Sequence, residues 1–169
     1  GSGLFLSEDG GESWKKIGNK EGFPKGDLGR IGVAIAQSNP DIVYAKVEAE
    51  KNLLYRSDNG GASWSVINSN PKFTNNRPFY FQDLAVDTQD ENRLYNIYQP
   101  LSVSYDGGKT FDTTPMIPAD ETKGIHADFH AIWINPNDPQ HFIIGGDGGL
   151  GITQDHGKSW YFPETIPVA

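Results

Sequence analysis

The chain has 169 residues, 14 basic and 22 acidic side chains and a formal net charge of −8. That balance argues against a phosphate-neutralising surface, so no nucleic acid partner is expected. The absence of cysteine excludes disulfides and thiol chemistry, and no apolar run approaches the length of a membrane span.

In chain order, the first element is the apolar run Leu4-Phe5-Leu6, then Ser7-Glu8-Asp9-Gly10-Gly11-Glu12-Ser13-Trp14, then Lys15-Lys16-Ile17. The same eight-residue pattern returns at Ser57 to Trp64, Ser104 to Phe111 and Thr153 to Trp160. Its third positions, Asp9, Asn59, Asp106 and Asp155, lie 50, 47 and 49 residues apart. A fixed period near fifty with a turn inside each unit is the signature of a repeat architecture. Asp-Gly-Gly or Asn-Gly-Gly between apolar runs predicts a tight hairpin. Ser7, Asp9, Gly11 and Trp14 recur as Ser57, Asn59, Gly61 and Trp64, as Ser104, Asp106, Gly108 and Phe111, and as Thr153, Asp155, Gly157 and Trp160. The first hydroxyl and the Asp or Asn oxygen are expected to accept backbone N–H groups within the turn. The four closing aromatics are expected to pack between sheets. A calcium loop needs more ligands than one carboxylate per turn, so these residues read as structural.

Between these boxes a second theme repeats. Arg30–Ala36 and Ile42–Tyr44 flank Ser38-Asn39-Pro40-Asp41; Asp83–Val86 and Arg93–Ile97 flank residues 87–92; Ala131–Ile134 and His141–Ile144 flank Asn135–Pro139. Short β-rich runs separated by Asn, Pro and Asp read as antiparallel strands. Each unit then supplies four strands, which is a propeller blade, with almost no helix expected. The chain divides into the outer half of a blade (1–17), two blades (18–67 and 68–114) and a blade plus tail (115–169). About three and a half blades do not close a ring. The chain therefore reads as an internal segment of a longer protein, its partners being the remainder of the parent propeller or other subunits.

The eight-residue pattern resembles the Asp-box, or bacterial neuraminidase repeat, of sialidases, sortilin-like receptors and several glycoside hydrolases. In those families the box is a structural hairpin remote from the ligand face. Asn59 replaces the usual aspartate, and His156 stands where a glycine is common. The ordered set Arg30-Ile31-Gly32-Val33-Ala34, Arg77-Pro78-Phe79-Tyr80-Phe81, His126-x-Asp128-x-His130-x-x-Trp133 and Gly146-Asp147-Gly148-Gly149 is similar to large bacterial sortilin-like propeller proteins labelled as glycosyl hydrolases of the repeat type. That resemblance implies an exported protein: secreted, periplasmic or on the cell surface.

Four features stand apart from the repeat. His126, Asp128 and His130 alternate at the entry to a strand, which predicts one shared face. Their readings are a metal site, an acid–base cluster or a hydrogen-bonded polar cluster; strand spacing is long for three ligands of one ion, and no metal or cofactor is assigned. Gly145-Gly146-Asp147-Gly148-Gly149-Leu150 predicts a turn with Asp147 accepting backbone N–H groups, close to the His126 group; it lacks the strand-to-helix context of a phosphate loop. Arg77 and Tyr80, with Phe79, read either as a stacking surface for a glycan or peptide or as packing between blades. Lys46–Glu50 reads as a solvated loop. The main functional reading is a binding or scaffold module for a protein or glycan ligand, with His126, His130, Arg77, Tyr80 and Trp133 lining the ligand. The alternative is part of a glycoside hydrolase, sialidase- or glucanase-like, with Asp128 and Asp147 as catalytic carboxylates and Glu48 more distant.

Overall fold

The computed structural model describes residues 2–17, 22–75, 77–99, 101–112 and 126–163. Three expected blade boundaries, near residues 18, 115 and 169, lie outside them. The chain separates into two compact units, residues 1–82 and 83–169.

The first unit opens with a two-stranded ribbon, β1 (Phe5–Leu6) against β2 (Lys15–Lys16). An antiparallel meander follows in the order β3 (Ile31–Ile35), β4 (Val43–Val47), β5 (Leu53–Ser57) and β6 (Ser65–Asn68). All five residues of β4 are buried, as a central strand requires. Lys46, at 2 % exposure, and Val47 belong to it, so the solvated loop expected over 46–50 is corrected there: the β4 ladder continues through Val47 and the Lys46 side chain is buried, its Nζ directed at the Phe81 carbonyl. Val43, Ala45, Val47 and Tyr55 share one face and pack on Leu4, Ile17, Phe23 and Trp64. Phe23 binds the cluster together, its ring centroid 5.3 Å from Tyr55 and 5.1 Å from Trp64. Each such side chain contributes about 1.5–3 kcal/mol of burial. On the opposite face the segment leading to Gln82 lies against the sheet. Gln82 donates from Nε2 to the carbonyls of Arg30 and Lys46, both at 3.2 Å. Gly32 permits this approach, because a Cβ there would collide with the Gln82 carbonyl oxygen.

One short helix, α1 (Pro71–Thr74), follows β6. Asn70 caps it, accepting the Lys72 N–H at 3.1 Å, and Pro71 occupies the first helical position. It is the only helix among the described residues.

The second unit holds β7 (Leu84–Val86), β8 (Leu94–Asn96) and β9 (Ser102–Ser104), then β10 (Phe129–Ile134), β11 (Phe142–Gly146) and β12 (Gly149–Thr153). Each trio is an antiparallel sheet in chain order. Tyr95 and Val103 of the first trio, with Ile97 just beyond β8, meet Phe129, Ile134, Phe142 and Ile144 of the second in one cluster. The Tyr95 and Phe142 rings lie 5.3 Å apart. The fourth strand of each sheet is reduced to a single bridge, Val103↔Asp112 and Ile152↔Tyr161. In the latter, Pro163 would be the next partner to donate and has no N–H, which ends the ladder.

The four boxes are near-copies in their hydrogen bonding. Ser7 Oγ donates to Asp9 Oδ1 at 2.8 Å and accepts the Gly11 N–H at 2.7 Å. Asp9 accepts the Ser13 N–H at 3.0 Å and the Ser13 hydroxyl at 2.6 Å. The same set recurs around Asp106 with Ser104, Gly108 and Thr110, and around Asp155 with Thr153, Gly157 and Ser159. Asn59 keeps the geometry with one bond reversed: its Nδ2 donates to Ser63 Oγ at 2.9 Å. Each tryptophan Nε1 donates to the carbonyl three residues back, at Gly11, Gly61 and Gly157. The closing aromatics are not uniformly buried, against expectation. Trp64 is 5 % exposed but Trp14 is 63 % exposed, because β1 and β2 have only each other as sheet partners among the described residues; Phe111 and Trp160 are half-buried.

Candidate functional site

In the second unit, residues 126–130 and the β11–β12 turn meet at the end of the sheet opposite the boxes. The expected shared face for His126, Asp128 and His130 does not form. The strand begins only at Phe129, and Asp128 stands in the left-handed region at φ 82°, so alternation does not run through it. A bulge follows: Phe129 pairs with Gly146 and Ala131 with Gly145, leaving His130 as the extra residue. Bulges of this kind re-aim a side chain. His130 Nε2 reaches Asp147 Oδ1 at 3.2 Å, a close polar contact rather than a well-aligned hydrogen bond.

Asp147 and Gly148 form the two-residue turn between β11 and β12. The Asp147 N–H donates to the Asp128 carbonyl at 3.2 Å. The Asp147 carboxylate therefore faces His130, not the backbone N–H groups anticipated from sequence. Gly146 and Gly148 have the backbones of Asp128 and His126 where side chains would stand, so the glycine run is what lets the two segments touch. Asp128 Oδ1 is buried with no protein partner. Left-handed non-glycine backbone and an unsatisfied buried carboxylate oxygen both cost free energy and concentrate at functional sites. His126 itself is exposed, its Nδ1 against the Ala127 carbonyl. Among the described residues no three His, Asp or Glu side chains converge as a metal site.

Trp133 lies away from this point, half exposed in a cross-strand row with Ile143, Ile152 and Tyr161. Arg77 and Tyr80 belong to the first unit, in a turn at residues 77–80 rather than in the lead of a strand. That turn is held by Arg30, a residue to which sequence reasoning gave no role. Arg30 Nη1 donates to the Tyr80 carbonyl at 2.9 Å, while Glu48 Oε2 accepts the Arg30 N–H at 2.9 Å. Phe79 is 72 % exposed above it and Phe81 is buried beneath.

A second polar concavity, of about 500 Å³, lies on the box side of the second unit, lined among others by Asp87, Arg93, Asp138 and His156. Arg93 Nη1 lies 3.3 Å from Asp87 Oδ2 and 2.6 Å from His156 Nδ1. Burial, then the Arg93 charge, lowers the His156 pKa, so its ring accepts from the guanidinium. The signal in the sequence was the histidine itself, standing where Gly10, Gly60 and Gly107 occupy the other boxes.

No protein-family profile matches the chain. It is 25 % identical over 169 aligned residues to an oligoxyloglucan-reducing end-specific xyloglucanase of Emericella nidulans, spanning 89 % of this chain and 20 % of that protein. Among solved structures it superposes on a GH74 xyloglucanase from Xanthomonas campestris with TM-score 0.70 at 17 % identity, covering 98 % of this chain and 28 % of the other. A GH74 enzyme from Niastella koreensis gives TM-score 0.62 at 17 % identity, covering 79 % and 22 %. An ancestral GH74 enzyme gives 0.61 at 18 %, covering 94 % and 21 %. The fold is thus an all-β propeller segment, and the chain spans between a fifth and a third of the length of these proteins.

Proposed function

We propose that the chain is a propeller segment of an exported glycoside hydrolase acting on a β-glucan such as xyloglucan, with Asp128 and Asp147 as its working carboxylates. The supporting observation is their meeting at one sheet end: Asp147 against His130, and Asp128 at φ 82° with a buried, unpartnered oxygen. In glycoside cleavage one carboxylic acid protonates the glycosidic oxygen as its bond to the anomeric carbon breaks. The other takes a proton from attacking water, or attacks that carbon itself. The relative from Emericella nidulans makes hydrolysis the better-supported of the two sequence readings. The likeness to Asp-box and sortilin-like proteins, and the division into blades at 18–67, 68–114 and 115–169, belong to the same proposal. Among the described residues no helix is long and apolar enough to cross a membrane.

The test uses the parent protein that carries this segment. Asp128→Asn and Asp147→Asn should each lower kcat on xyloglucan by about 10²–10⁴-fold with KM little changed, the range for losing one acid–base group. Retained activity in both variants refutes the proposal. The binding reading draws on a separate observation, the exposed Phe79 and Tyr80 held by Arg30. Glycan binding lost on Phe79→Ala and Tyr80→Ala, in a parent with no hydrolysis, would favour it.

A further inference from the structure

Box two carries Asn59 where the others carry Asp9, Asp106 and Asp155, and the residue after it is Gly60. This is the only Asn-Gly pair in the chain. Such a pair is chemically unstable. With no Cβ, glycine leaves its own backbone nitrogen unshielded, and that nitrogen can attack the side-chain carbonyl carbon of the asparagine before it. The new N–C bond closes a five-membered succinimide as ammonia leaves. Water then opens the ring at either carbonyl, giving aspartate or isoaspartate. The sum is amide plus water to carboxylate plus ammonium, with nothing oxidised or reduced.

Two sets of contacts oppose that attack while the turn is closed. The Gly60 N–H donates to the Asp41 carbonyl at 2.8 Å, so its nitrogen is committed to the neighbouring turn. The same position is tied in boxes three and four: Gly107 donates to the Asn92 carbonyl at 2.9 Å and His156 to that of Gln140 at 3.0 Å. The Asn59 carboxamide is held from the other side. Its Oδ1 accepts the Ser63 N–H and the Ser57 hydroxyl, each at 2.9 Å, and its Nδ2 donates to Ser63 Oγ at 2.9 Å. Its carbonyl carbon reaches the Gly60 nitrogen only after these bonds break. Asn59 is nonetheless exposed, so water is at hand once the turn opens.

The aspartate product fits the same frame. Asp9 accepts both the N–H and the hydroxyl of Ser13, at 3.0 and 2.6 Å, and Ser63 stands in box two where Ser13 stands in box one. A serine hydroxyl donates as readily as it accepts. Turning the Ser63 hydroxyl therefore converts the Asn59 pattern into that of Asp9. Isoaspartate does not fit. Its main chain runs through the former side-chain carbon and is one carbon longer, which carries the Gly60 N–H off the Asp41 carbonyl. Its free carboxylate is one carbon short of Ser63.

We infer that Asn59 is a site of spontaneous deamidation, gated by release of the box from Asp41, whose aspartate product closes the same turn and whose isoaspartate product does not. The inference is independent of the hydrolase reading.

The test follows Asn59 by peptide mass mapping in the parent protein that carries this segment, during incubation at mildly alkaline pH. Deamidation should run at least about tenfold faster in denaturant than in buffer, because an opened hydrogen-bonded turn is a minority state of the folded protein. Ser57→Ala and Ser63→Ala remove bonds that hold the carboxamide; they should raise the rate in buffer and leave the rate in denaturant unchanged. Ser104→Ala, the same change in box three, should alter neither. Asn59→Asp should keep the parent's amide exchange across residues 57–64, and limited proteolysis of aged protein should cut the isoaspartate form before the aspartate form. Equal rates in buffer and denaturant overturn the gating, as does a rate in buffer that both serine variants leave unchanged. An asparagine that stays intact in denaturant overturns the site. Faster amide exchange in Asn59→Asp, or equal cleavage of the two products, overturns the distinction between them.

Discussion

His156→Gly sets two opposite effects against each other. His156 adopts φ 58°, in a turn position where Gly10, Gly60 and Gly107 take φ 76°, 63° and 72°. Restoring glycine relieves a left-handed residue, worth about 1 kcal/mol at the low end for a tolerant side chain. Glycine returns most of that, about 0.5–1 kcal/mol, as extra freedom of the unfolded chain. What remains is the contact between His156 Nδ1 and Arg93 Nη1 at 2.6 Å. A hydrogen bond to a charged group contributes about 1.5–3 kcal/mol, and partial exposure places this one near the lower value. The variant should therefore be destabilised by about 1–2 kcal/mol at pH 8, read as a lower urea midpoint with an unchanged slope. The pH dependence follows from the lowered His156 pKa. A histidine held below its unfolded value of about 6.5 stabilises the fold above that pH, and loses the contribution as pH falls through the folded value. The gap between parent and variant should shrink at pH 5. A variant as stable as the parent at pH 8, or a gap that widens on acidification, refutes the reasoning.

The box aspartates should resist acid. Hydrogen bonds from Ser13, side chain then backbone, and from Ser7 hold Asp9 at about 2, and Ser159 with Thr153 does the same for Asp155. Their contribution is present above about pH 3.8 and is lost only as pH falls through about 2; carboxyl NMR titrations with midpoints near 4 would contradict the turn geometry. Gly32→Ala should cost about 3 kcal/mol or more, since the new Cβ meets the backbone carbonyl of Gln82 and not a movable side chain. A denaturant midpoint within experimental scatter of the parent would show that the 77–82 segment does not lie where it is described.

The sheets were legible because two signals agreed: the period near fifty, and glycine-bearing turns between β-rich runs. What the sequence hid was decided by contacts or by single backbone angles. The alternation His126, Asp128, His130 looked like a strand face, yet a left-handed Asp128 and a bulge at His130 undo it. The nearness of Asp147 to this segment was anticipated from the order of strands, but the pairing with His130 depends on the bulge. The helical turn at Pro71 carried a readable start, Asn70 then Pro71, which the surrounding β pattern overrode. Arg30 was read only as part of a strand and of a family resemblance, because its role is to donate to carbonyls some fifty residues away, and no local pattern encodes that.

The hydrogen bonds of each box join residues two to four positions apart. A turn closed by such short-range bonds owes little to loop-closure entropy, and hairpins of this size form in about 1–10 μs. Each box is therefore a local nucleus that can be in place before distant strands find one another. The slow part of folding then falls to the joining of the sheets across the Tyr95–Phe142 cluster.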